Sequence, residues 1–133
     1  MSSWDSWRSG SGTPSRVFDE VDMNTPAEGR LLRIFIGESD RHAGIPLYDW
    51  IVKQAHEHQL AGATVIRGLE GFGAHGHLHT AKILRQATDL PIIIEIVDSR
   101  EKIEAFLPII DGAITGGLAT LENVEVRFYR DET

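Results

Sequence analysis

The sequence predicts an α+β domain in which an antiparallel sheet carries two helices on one face. Three observations carry this expectation. Four β-rich runs and two stretches of helical period follow one another in the order β-α-β-β-α-β. The run Pro91 to Val97 is apolar apart from Glu95, as in a strand at the centre of a sheet or against another subunit. The run Val124 to Tyr129 alternates, with Val124, Val126 and Phe128 on one side.

Composition bounds the answer. The chain has 133 residues, room for one domain with a modest core. Its formal net charge of -7 argues against non-specific nucleic-acid binding and against an anionic membrane surface. With no cysteine there is no thiol nucleophile, disulfide or thiolate metal site, which fits a reducing cytoplasm. No apolar run approaches the roughly 20 residues of a membrane span. The start, Met1 to Asp5, lacks the features of a signal peptide, so a cytoplasmic protein is expected.

Residues 1–28 are rich in Ser, Gly, Pro, Asp and Thr and are expected to form a flexible tail. Trp4, Trp7 and Phe18 are its candidate anchors for a partner; a tail without a fixed partner is the plainer account. Residues 29–131 are expected to form the folded domain, with order beginning at Arg30. Leu31 to Ile36 reads as the first strand, closed by Gly37. Glu38 to Gly44 reads as a polar loop. Pro46 suits the first turn of a helix in which Leu47, Trp50, Ile51, Gln54, Ala55 and His58 recur at helical spacing, and Gly62 closes it. Ala63 to Leu69 is the second strand, and a short helical patch is expected near Thr80 to Ala87. Pro91 to Val97 is the third strand. Asp98 or Ser99 can cap the second helix; Ser99 with Lys102 is not a capping box, whereas Asp98 with Glu101 three residues on is a fair one. Ile103, Phe106, Leu107 and Ile110 form its apolar face, and Pro108 should kink or shorten it.

The element order is that of the ferredoxin-like fold. It leaves one sheet face without helices, and the third strand is too apolar to meet water. Burying that face between copies of the chain, preferably in a closed ring of three, resolves this.

The residues with most chemistry lie in turns. Gly71-Phe72-Gly73-Ala74-His75-Gly76-His77 follows the second strand, and Thr115-Gly116-Gly117 precedes the last. Glycine lets the backbone approach a ligand, and successive backbone N–H groups can cradle an anion. A turn that merely redirects the chain is the bland account. His75, His77 and His79 form His-x-His-x-His, which on a strand puts three imidazoles on one face for a divalent metal. His56 and His58 are expected on the surface. Glu95 is the one charge in the third strand, and an arginine or a ligand is expected to meet it. Gly-x-Ser-x-Gly, a Walker loop and His-Glu-x-x-His are all missing, so no enzyme is indicated.

Three segments in the right order, Leu31 to Asp40, Gly68 to Gly73 and Leu121 to Glu125, resemble the DUF190 family among the PII-like signalling proteins. The resemblance spans roughly Arg30 to Arg130. It implies a PII-like homotrimer that binds small molecules, chiefly adenine nucleotides, in clefts between subunits. Gly71, Phe72 and Gly73, with His75, Gly76 and His77, would form one wall, and Thr115, Gly116 and Gly117 another. Glu95 and Val97 match the family's third strand, and Arg127 and Arg130 are the positions available to contact phosphates. Gly117 stands where PII proteins carry a phosphate-holding lysine, so a ligand with fewer phosphates, a cyclic nucleotide or another anion fits better than a triphosphate. Ligand contacts would order Gly73 to Leu90 and change the surface offered to a partner such as a membrane transporter or channel. A divalent-metal-binding trimer built on His75, His77 and His79 is the alternative.

Overall fold

The computed structural model describes residues 27–73, 79–80 and 89–130. In chain order the elements are β1 (Ala27–Gly37), β2 (Arg41–His42), β3 (Ile45–Pro46), α1 (Leu47–Glu57), β4 (Thr64–Arg67), β5 (Glu70–Gly71), β6 (His79–Thr80), β7 (Pro91–Asp98), α2 (Arg100–Asp111) and β8 (Leu118–Val126). The main sheet has the order β4-β7-β1-β8, with every pair antiparallel. This is the ferredoxin-like arrangement.

Strand period explains the core. Leu32, Ile34 and Ile36 of β1 alternate onto the face that carries Ile92, Ile94 and Ile96 of β7, and the register sets Ile34 opposite Ile94. Leu47, Ile51 and Ala55 of α1 and Ile103, Phe106 and Ile110 of α2 cover them at helical spacing. Both helices therefore lie on one face. The other face has the rows Ile66-Ile93-Phe35-Leu118 and Thr64-Glu95-Arg33-Thr120, read across from β4 to β8. In β7 every second residue is buried, while Ile93, Glu95 and Val97 stay half-exposed. Burial on both faces, expected of this strand, is not supplied by the described residues.

Several boundaries differ from the sequence expectation. β1 begins at Ala27, so Ala27 and Glu28 belong to a strand and pair with Val126 and Glu125. Residues 1–26, with Trp4, Trp7 and Phe18, lie outside the described residues. β8 starts at Leu118 and ends at Val126, earlier at both ends than the alternating run predicted. It is an edge strand with an exposed majority of residues, so its first half carries little apolar signal. β4 is shorter than expected, and Gly68 N–H closes the ladder by donating to the Pro91 carbonyl at 2.7 Å.

The stretch after β1 holds the small hairpin β2–β3, with Ala43 and Gly44 at φ 52° and 81°. Helix α1 ends at Glu57, and Gln59 at φ 60° turns the chain instead of Gly62. Ser99, not Asp98, caps α2: its Oγ accepts the Lys102 N–H at 3.2 Å. The helix runs through Pro108 to Asp111 without being shortened. Pro108 sits on the exposed side of the last turns, where water can meet the carbonyl it leaves without a donor. Thr80 lies in β6, opposite Glu70; residues 81–88 of the expected helical patch are outside the described residues.

Candidate functional site

The antiparallel pairing brings the two glycine turns to one end of the sheet. Gly37 ends β1 opposite Pro91 at the start of β7, Arg67 of β4 stands opposite Ile92, and Leu118 opens β8 opposite Phe35. Gly71 and Gly117 are accounted for by packing. A Cβ on Gly71 would come within 3.2 Å of Pro91 Cγ, and one on Gly117 within 2.7 Å of the Phe35 carbonyl oxygen. Among the described residues Gly73 and Gly116 have no atom within 4 Å of a Cβ position, which leaves their backbone approachable by a ligand or partner. Phe72 and Thr115 are exposed. The same end is tied by the Glu38–Arg67 ion pair and by Ser39 N–H donating to Asp89 Oδ1 at 3.0 Å.

A cavity of about 1040 Å³ opens at the other end, reaching from the helix-free face around the β4 edge to α1. Leu31, Glu95 and Val97 line it from the sheet, Lys53 and His56 from α1, and Phe128 and Tyr129 from the C-terminal segment. Arg33, Lys53, Glu57 and Glu95 balance its charge when His56 is neutral. Arg33 is held between two carboxylates. Its Nε donates to Glu95 Oε2 at 2.8 Å, and its Nη1 pairs with Glu122 of β8. The Glu95 hydrogen bond, opposed by desolvation, raises the guanidinium above its ordinary pKa. Arg33 is thus already engaged, and the cavity walls suit an uncharged, largely apolar group.

Arg127 and Arg130 lie just past β8, beside the cavity. Arg127 pairs with Glu125, and Arg130 Cζ stands 4.4 Å from the centre of the Phe128 ring. The candidate residues therefore fall into two groups. Gly71, Phe72, Gly73, Thr115, Gly116 and Gly117 occupy one end of the sheet, and Glu95, Val97, Arg127 and Arg130 the other. The steps from Leu118 to Arg127 at roughly 3.3 Å each put about 30 Å between the ends of β8. His75, Gly76 and His77 lie outside the described residues, and His79 is placed only by its backbone pairing with Gly71. Among the described residues no cluster of His, Asp or Glu is placed to hold a metal ion. Nor does any described helix have the length and apolarity to cross a membrane.

Sequence reasoning missed Arg33, Lys53, His56, Thr64 and Tyr129 as cavity residues. The alternation of β1 was visible, and it puts Leu31, Arg33 and Phe35 on the helix-free face. Nothing local to Lys53 or Tyr129 announces that α1 and the C-terminal segment meet there.

The fold matches solved PII-like structures. CPII, a nitrogen regulatory PII-like protein from Thiomonas intermedia K12 bound to ADP, AMP and bicarbonate, superposes with a TM-score of 0.57 at 16% identity, covering 76% of this chain and 90% of that one. A structure from Thermus thermophilus, described as a PII-like signaling protein, superposes with a TM-score of 0.55 at 18% identity, covering 76% and 91%. The fold is therefore a ferredoxin-like domain of the kind seen in these structures. Within that fold the chain belongs to the DUF190 family, described as an uncharacterized ACR, whose model matches residues 29–126. A UPF0166 protein of Aquifex aeolicus is 41% identical over 97 residues, 73% of this chain and 91% of the relative. Another, from Methanocaldococcus jannaschii, is 34% identical over 107 residues, covering 80% and 96%.

Proposed function

We propose that this protein is a PII-like regulator that binds a small anionic metabolite, an adenine nucleotide, in clefts between the subunits of a homotrimer. Ligand contacts then set the conformation of residues 73–90 and change the surface offered to a regulated partner, of which a membrane transporter or channel is one class. The observation that carries this is the charge-balanced cavity between the helix-free face and the end of α1, with Glu95 and Val97 in its wall and Arg127 and Arg130 at its side. The walls suit a base and sugar, and the neighbouring arginines suit phosphate. The glycine turns lie at the far end of the same face, so a second copy is needed to bring such loops beside this cavity. CPII shares the fold and is bound to ADP and AMP, which supports the ligand class.

Calorimetry with AMP, ADP, ATP, cyclic AMP and adenosine, with light scattering for mass, tests both parts. The expected outcome is a trimer that binds AMP or ADP more tightly than adenosine or ATP. A monomer, or a trimer that binds no adenine nucleotide, overturns it. Binding of zinc alone would transfer the site to His75, His77 and His79.

A further inference from the structure

We propose that Tyr129 is a positioning residue: it pins the C-terminal segment across the helix-free face and thereby fixes where the Arg127 and Arg130 guanidiniums stand for an anionic ligand. The ligand half of this rests on the nucleotide binding proposed above; the pinning half does not.

The geometry begins with the sheet. β8 ends at Val126 on one edge, and Ala61 precedes β4 on the other. Four strands at a spacing of about 4.8 Å put those edges about 14 Å apart. The residues from Val126 to Tyr129 cover about 10 Å, and the tyrosine ring bridges the rest. Its hydroxyl donates to the Ala61 carbonyl at 2.9 Å.

That carbonyl belongs to a fixed point. Ala61 is 7% exposed, and its N–H donates to Asp98 Oδ2 at 2.8 Å. Asp98 is itself 2% exposed and takes the Ser99 N–H on Oδ1. Both backbone groups of Ala61 are therefore held by side chains remote in sequence, Asp98 from β7 and Tyr129 from beyond β8. Ala27, Val97, Val126 and Tyr129 close around Ala61 as a small apolar cluster. Phe128, next to Tyr129, lines the cavity and carries Arg130 over its ring. Arg127 and Arg130 flank the anchored pair on either side. Loss of the hydroxyl bond removes the strap's polar tie to Ala61 while leaving both charges in the chain.

Tyr129→Phe tests the idea by calorimetry with adenosine, AMP and ADP beside hydrogen exchange. The expected result is a tenfold or greater weakening for AMP and ADP with adenosine unchanged within twofold. A tyrosine that only supports the fold would weaken all three ligands alike, and that result overturns the proposal, as does no change in any. Arg130→Gln should reproduce the same split between AMP and adenosine. Exchange in unliganded protein reads the pinning alone: amides of residues 60–64 and 127–130 should exchange at least fivefold faster in Tyr129→Phe. Unchanged exchange sinks the pinning. Faster exchange in a protein whose wild type binds no nucleotide keeps the pinning and rejects the nucleotide.

Discussion

At Gly117 the space for a side chain is already taken by the Phe35 carbonyl, whereas Gly116 faces open space. Backbone cannot yield as a flexible side chain does, so Gly117→Ala should cost about 1–3 kcal/mol. Gly116→Ala should stay within about 0.5 kcal/mol of wild type. Urea midpoints compare the two, and equal midpoints would contradict the packing account of Gly117. Asp98 makes a second case. Asp98→Ala strands the buried Ala61 N–H, an expected loss of about 1–3 kcal/mol read from the same titration. Arg33 has its folded pKa raised by Glu95, so its contribution is present below the ordinary guanidinium range and is lost only as pH rises beyond it. No pH dependence between about pH 5 and 9 should come from this residue.

Helix α1 ends by strain at one position. Gln59 holds φ 60° without being glycine, and its carbonyl accepts Lys102 Nζ at 2.6 Å. The left-handed conformation costs a non-glycine residue roughly 1–2 kcal/mol, against an unfolded-state entropy of about 0.4–1 kcal/mol that glycine adds. Gln59→Gly keeps the carbonyl and should raise stability by up to about 1 kcal/mol. A lower melting temperature would show that the side chain does more than solvate. At α2 the cap belongs to Ser99. Ser99→Ala should cost about 1 kcal/mol, the usual loss for an N-cap hydroxyl.

The helix-free face decides the behaviour of the whole molecule. Ile66 and Leu118 end its apolar row and are 43% and 57% exposed in the single chain. The described residues leave this face uncovered, and the homotrimer proposed above would bury it. Leu118→Glu should leave the monomer fold intact, because the side chain already faces water there, while lowering the mass measured by sedimentation from three chains to one. A wild-type monomer, or a Leu118→Glu variant that keeps the wild-type mass, would reject this face as the contact. Melting should also become independent of protein concentration in that variant.

Read alone, the residues establish the order of the main elements, the inward faces of both helices, and the presence of glycine turns after β4 and before β8. Period and turn chemistry are local, so they are readable without coordinates. Asp98 and Ser99 are both good local caps for α2, so the residues alone leave the choice between them open. Only the tertiary structure draws Asp98 away to Ala61 and leaves Ser99 for the helix. The arginine expected for Glu95 is Arg33, a partner set by strand register, which pairs residues far apart in the chain. The division of the candidate residues between two ends of the sheet was likewise decided in three dimensions. Antiparallel pairing sends β8 back along β1, and so carries Gly117 and Arg127 to opposite ends of the same face.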